Sequence, residues 1–158
     1  MSEEPEATEE PEATEVPAPV RGILDTSTLI LLPRLADAET LPTEPLITTV
    51  TLAELSVGPL VTDDQSEREA RQAHLQQAEA DFDPLPFDAS AARAFGRVAA
   101  SLRRSGRKSS ARAYDAMIAA IAVANHLPVY TCNPADFLGI DGLEIVAVTV
   151  PEPDGDAA

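Results

Sequence analysis

Four carboxylates carry the chemical interest of this chain: Asp25, Glu54, Asp115 and Asp136. Asp25 closes the apolar run Gly22-Ile23-Leu24, and Asp136 lies in Asn133-Pro134-Ala135-Asp136-Phe137, just after Val129-Tyr130-Thr131. Glu54 sits within Val50 to Val57, after Leu46-Ile47-Thr48, and Asp115 opens the apolar stretch Ala113 to Asn125. Carboxylates gathered in one place repel, and without a cation some take up protons rather than share the charge. Mg²⁺ or Mn²⁺ prefers oxygen ligands and keeps several waters, leaving positions for a phosphate oxygen and a nucleophilic water. Each acid also has a purely structural explanation. Asp25 suits a helix N-cap, Thr51-Leu52-Ala53-Glu54 matches a capping box, and Asp115 gains from the free N–H groups at a helix start. Those private explanations do not account for the fall of all four toward one edge.

The elements that must position these acids follow from hydropathy. Ala113 to Asn125 is almost wholly apolar, without Gly or Pro, and a helix apolar all round is buried on most sides. It ends near Asn125-His126, Pro128 enforces extended backbone, and Val129 to Thr131 reads as a short buried strand. Asn133 is expected to cap the turn opened by Pro134. Upstream, Gly22 to Leu24 and Leu46 to Thr48 read as strands, each followed by a helix, and Gly58-Pro59 ends the second. Asp63 to Ala80 is a charged, solvated helix carrying His74 as a surface residue. Pro84-Leu85-Pro86-Phe87 can serve only as an edge strand or extended connector. Ala91 to Arg104 is an amphipathic helix capped by Asp88-Ala89-Ser90, and Leu143 to Val150 gives the last strand. Apolar strands alternating with helices predict an α/β fold with a mostly parallel sheet covered on both faces, whose ligand site lies beyond the strands' carboxyl ends.

Length and composition narrow the class. The 158 residues are enough for one domain, 44% are hydrophobic, and no apolar run reaches a membrane span. The single cysteine, Cys132, excludes an internal disulfide and fits a reducing cytoplasm. Without Trp, and with two Tyr and four Phe, the chain offers no broad stacking platform for bases. The net charge of −16 is concentrated at the ends: seven Glu fall within residues 1–20 and three acids within 151–158. Residues 4–9 and 10–15 repeat Glu-Pro-Glu-Ala-Thr-Glu, so residues 1–19 are expected to be a disordered acidic tail. Residues 20–150 form the expected domain, and 151–158 a flexible acidic tail. Against this background Arg93 to Arg112 holds seven bases and no acid, a strip that suits a polyanion and equally a solvated helix face.

Taken together, Ile23-Leu24-Asp25-Thr26-Ser27, Thr51-Leu52-Ala53-Glu54-Leu55, Tyr114-Asp115-Ala116-Met117-Ile118-Ala119-Ala120 and Thr131-Cys132-Asn133-Pro134-Ala135-Asp136-Phe137 resemble a PIN domain. The resemblance is specifically to the VapC-type ribonuclease toxins of toxin–antitoxin pairs, and it spans roughly residues 20 to 150. Cys132 departs from it, since a basic residue is usual there, and the long acidic tail is not needed by the fold. The resemblance implies a PIN-like three-layer fold with a five-stranded parallel sheet. It further implies a homodimer and a cognate VapB-type antitoxin that occupies the groove. Asp25, Glu54 and Asp115 become the core carboxylates and Asp136 the fourth, with Thr26, Ser27, Thr131 and Asn133 as polar supports. The implied reaction is hydrolysis of RNA, leaving a 5′-phosphate and a 3′-hydroxyl.

On chemical grounds Asp25, Asp115 and Asp136 are assigned as metal ligands, with Glu54 a ligand or the base toward the attacking water. The carboxylates repel an RNA backbone, and Arg104, Arg107, Lys108 and Arg112 would offset that field. Arg112, about one turn before Asp115, is the best placed for a phosphate contact. Two other phosphate-handling folds with an Asp after the first strand fall away. A haloacid-dehalogenase-type phosphatase needs an acid at position 27, which is Ser, and a receiver domain needs a lysine that Leu143 to Val150 lacks. A housekeeping RNA-processing nuclease, or a PIN-like domain that binds RNA or protein without cutting, stands as the alternative.

Overall fold

The computed structural model describes Pro5 and residues 20–35, 38–107 and 112–151. The repeats expected to form an acidic tail, the closing acids and Lys108 lie outside the described residues. Four parallel strands form one sheet: β1 (Arg21–Leu24), β2 (Glu44–Leu46), β3 (Val129–Thr131) and β4 (Ile145–Ala147), in the order β2-β1-β3-β4. The helices are α1 (Thr26–Leu31), α2 (Thr49–Val57), α3 (Gln65–Asp81), α4 (Ala89–Arg104) and α5 (Ala113–Asn125).

Consecutive residues along each strand point to opposite faces, and each face finds its own helices. Ile23 and Val129, with partly buried Ile145, pack with Val98 and Leu102 of α4 and Ile118 and Ile121 of α5. Leu24 and Tyr130, with partly buried Val146, pack with Leu29 and the chain beyond it. This is the three-layer arrangement expected of apolar strands in a parallel sheet. α5 is central because Ala116, Ala119, Ala120 and Ala122 are buried with its two isoleucines. Small side chains on that helix let α4 lie close against it. His126 ends it in the left-handed conformation at φ 55°, its N–H returning to the last turn. Gly22 of β1 lies under the Tyr130 ring, where a Cβ would collide with the aromatic edge.

Four local expectations are corrected. The sheet has four strands among the described residues, not five. The candidate fifth, around Leu85, makes a single parallel bridge to Thr48: the Leu85 N–H donates to the Ile47 carbonyl and the Leu85 carbonyl accepts from the Thr49 N–H, both at 2.9 Å. Pro84 and Pro86 leave Leu85 as the sole donor among these three residues, and its partner segment turns into α2 at Thr49, so the ladder stops. The second strand runs Glu44–Leu46 rather than through Thr48, because Thr48 is already the N-cap of α2, its Oγ1 accepting from Thr51 N–H at 3.2 Å. Thr51 and Glu54 are therefore not a capping box. Asn133 does not cap with its side chain either; its N–H donates to Thr131 Oγ1 at 2.9 Å as the chain enters a 3₁₀ turn at Pro134–Phe137.

Candidate carboxylate site

The strand order places a switch point beside β1. The chain leaves β1 for β2 on one side, then crosses back to β3 on the other, opening a crevice at the carboxyl ends of β1 and β3. Asp25 is the residue after β1, and Asp136 lies in the turn after β3. α2 brings in Glu54, and the first turn of α5 brings in Asp115.

Asp25 is 3% exposed and fully engaged by neutral donors. Its Oδ1 accepts the Thr28 N–H at 3.1 Å, as the N-cap of α1, and also the Thr28 hydroxyl. Its Oδ2 accepts the Thr131 hydroxyl at 2.7 Å. Each of these hydroxyls in turn accepts a backbone N–H, Thr28 from Cys132 at 3.0 Å and Thr131 from Asn133 at 2.9 Å. The loop after β3 is thus tied to Asp25 through two threonines. Glu54 Oε1 accepts the Thr26 hydroxyl at 2.8 Å, and Thr26 Oγ1 lies 2.9 Å from Thr51 Oγ1. Neither Thr28 nor Thr51 was assigned to the site from the sequence, where Thr51 read only as a helix cap. The only available signal was the threonine three residues after a capping aspartate, the N–H position a cap engages.

The other two acids are held differently. Asp115 makes no hydrogen bond or ion pair among the described residues, while Asp136 is ion-paired with Arg112 Nη1. Partial burial pushes the Asp115 carboxyl up to about 6, helped by the negative charges of Asp136, Asp25 and Glu54 and opposed by Arg112. Glu54 is also raised, first by burial and then by Asp25, against the lowering effect of the Thr26 hydrogen bond. Asp115 therefore senses the other three acids, so the fold draws the four into one electrostatic neighbourhood. Among the described residues no group of three or more His, Cys, Asp or Glu side chains is already drawn together tightly enough to hold a metal ion. The donors are nonetheless all carboxylate and hydroxyl oxygens, the set hard divalent cations take, and Asp115 lacks any competing partner.

The supporting and basic residues divide. Thr26 and Thr131 bind two of the acids directly, Asn133 contributes its backbone N–H to Thr131, and exposed Ser27 makes no hydrogen bond to any of the four among the described residues. Arg112 is at the site. Arg107 donates to the Ala135 carbonyl beside it, and Arg104 pairs with Asp141 at 2.7 Å, both side chains largely exposed. His74 is exposed, as expected of a surface residue, and lines a cleft of about 470 Å³ that opens beside Thr26 and Glu54.

A parallel sheet with acids at its switch point is a broad class, and comparison narrows it. The sequence profile of the PIN domain matches residues 23–142. Ribonuclease VapC5 of Mycobacterium tuberculosis is 39% identical over 132 residues, 82% of this chain and 95% of that protein. The crystal structure of VapBC-5, a member of the VapBC family of toxin–antitoxin systems from the same organism, contains a chain that superposes with a TM-score of 0.71 at 39% identity, over 82% of this chain and 100% of that one. The DNA-bound VapBC structure from Salmonella typhimurium gives 0.62 at 27% identity, over 80% of this chain and 96% of that one. The chain belongs to the PIN-domain family, and within it to the VapC-type members.

Proposed function

We propose that the protein is a VapC-type toxin, a divalent-metal-dependent endoribonuclease that hydrolyses RNA phosphodiester bonds and is neutralised by a cognate VapB-type antitoxin. The observation that carries this reading is Asp115, a carboxyl without a hydrogen-bond or ion-pair partner among the described residues, pushed up to about 6 by burial and by three other acids that sequence alone scatters across the chain. The 39% identical relative is a ribonuclease, and the VapBC-5 structure belongs to a family of toxin–antitoxin systems. No helix among the described residues is long and apolar enough to cross a membrane, in keeping with a cytoplasmic toxin. A homodimer is the proposed assembly.

In this mechanism Asp25, Asp115 and Asp136 would hold Mg²⁺ or Mn²⁺, with Glu54 beside them as the base. The bound cation would supply a lowered pKa for its water and charge neutralisation at the phosphate. The chain's own residues do the rest. Thr28 and Thr131 fix both oxygens of Asp25, so one wall of the site is set before substrate arrives. Thr26 aims Glu54, whose free oxygen takes the proton of the attacking water. Water attacks phosphorus as the P–O3′ bond breaks, and the departing 3′ oxygen takes a proton from solvent, giving a 3′-hydroxyl and a 5′-phosphate. Arg107 and Arg112, beside the acids, offset the repulsion that the RNA backbone meets there.

The test is isothermal titration of Mn²⁺ into wild-type protein and Asp115→Asn, with RNA cleavage measured on the same samples. Loss of both in the variant is expected, with cleavage down by about 10³-fold. Well-folded wild-type protein that binds no Mn²⁺ overturns the metal site. Metal binding without cleavage of any RNA favours the non-catalytic binding domain.

A further inference from the structure

Arg112 does not behave as a residue kept free for substrate. It precedes α5 at φ −133° and ψ 37°, makes no side-chain capping bond, and spends its guanidinium on Asp136 Oδ1. Both side chains are between a third and two-fifths exposed, so the pair forms at the mouth of the site rather than in the core. Among the described residues it is the sole cation in direct contact with any of the four acids. Asp25 and Glu54 are supplied by threonine hydroxyls, and Asp115 has no partner. The one positive charge in the cluster is therefore attached to a carboxylate assigned to a cation.

We propose that Arg112 is the resident counter-ion of the cation-free site, and that a divalent cation binds by displacing its guanidinium from Asp136. This rests on the metal-site reading above. The guanidinium occupies one Asp136 oxygen, and a metal ion brought to the same carboxylate meets its positive charge at close range, so the two compete for Asp136. The pair stabilises the acid cluster while no metal is present and opposes loading when metal arrives. Its part exposure limits that opposition, since such pairs are worth at most about 1 kcal/mol, or about five-fold in affinity.

The experiment is Mn²⁺ calorimetry on wild-type protein, Arg112→Gln and Arg104→Gln, with folding checked by circular dichroism. Arg104→Gln removes an equal charge from a pair on Asp141 that touches none of the four acids. Arg112→Gln is expected to bind Mn²⁺ about two- to five-fold more tightly than wild type, and Arg104→Gln to match wild type. Unchanged or weaker binding by Arg112→Gln overturns the proposal. Equal tightening in both variants does so too, because net charge alone would then explain it. In each of those cases the wild-type metal site survives. Absence of Mn²⁺ binding by the wild type is a different failure: it removes the metal site and the displacement with it.

Discussion

Asp25 and Glu54 are held by hydroxyls, whereas Asp115 and Asp136 are left to charge. On the first side, Thr28, Thr131 and Thr26 supply short neutral hydrogen bonds, and backbone N–H groups fix two of those threonines. On the second, one carboxyl has no partner among the described residues and the other leans on a part-exposed arginine. The neutral side is built in the way that buried polar groups usually are, with both Asp25 oxygens and one Glu54 oxygen accepting hydroxyl protons. The charged side retains electrostatic strain in the folded state, visible in Asp115 at about 6. A binding site for a cation needs both: walls that do not move, and acids that gain by its arrival.

The largest effect that could break this contrast comes from the charged side. The folded Asp115 carboxyl holds its proton to about pH 6, while its ordinary value is 3.8. Between those values the unfolded chain ionises first, so this group's contribution to stability falls as pH rises through that window and stays reduced above it. Asp115→Asn removes that loss. Thermal unfolding in EDTA at pH 7.5 should give a midpoint above wild type by a few degrees, about 2–4 °C per kcal/mol recovered, with the gap closing toward pH 4. A lower midpoint for the variant at pH 7.5 would mean that Asp115 is a structural residue.

The next effect lies on the neutral side and has the opposite sign. Thr131→Val keeps the shape but deprives a buried Asp25 oxygen of its donor and the Asn133 N–H of its acceptor. Urea unfolding should show a loss of about 1–3 kcal/mol, with cleavage reduced as well. A variant as stable as wild type would show that Thr131 does not anchor this wall. The smallest effect is expected for Arg104→Gln, whose exposed pair with Asp141 should contribute less than about 1 kcal/mol in the same urea experiment. A larger loss would place the basic strip in the structural frame rather than on the surface.

Legibility followed the range of the interaction. α5 was readable to the residue, Ala113–Asn125, because an unbroken apolar run without Gly or Pro admits little else. β3, Val129–Thr131, was equally clear between Pro128 and the turn at Pro134. Glu54 was misread locally: the capping-box pattern is present in sequence, but the cap is Thr48, since α2 begins earlier than hydropathy suggested. The fifth strand failed for a comparable reason. Leu85 is apolar and extended, yet whether it pairs for one residue or four depends on where its neighbour turns into a helix.

The sequence by itself determined the element order and the buried central helix, because hydropathy period and strand–helix alternation are local properties of the chain. Tertiary structure alone decided which threonine serves which carboxylate, and that Thr28 and Thr51 belong to the network at all. It also decided that Arg112 faces Asp136, twenty-four residues away. Such contacts arise where separate elements meet at the sheet's carboxyl edge, and no periodicity within one element encodes the distance between side chains on two.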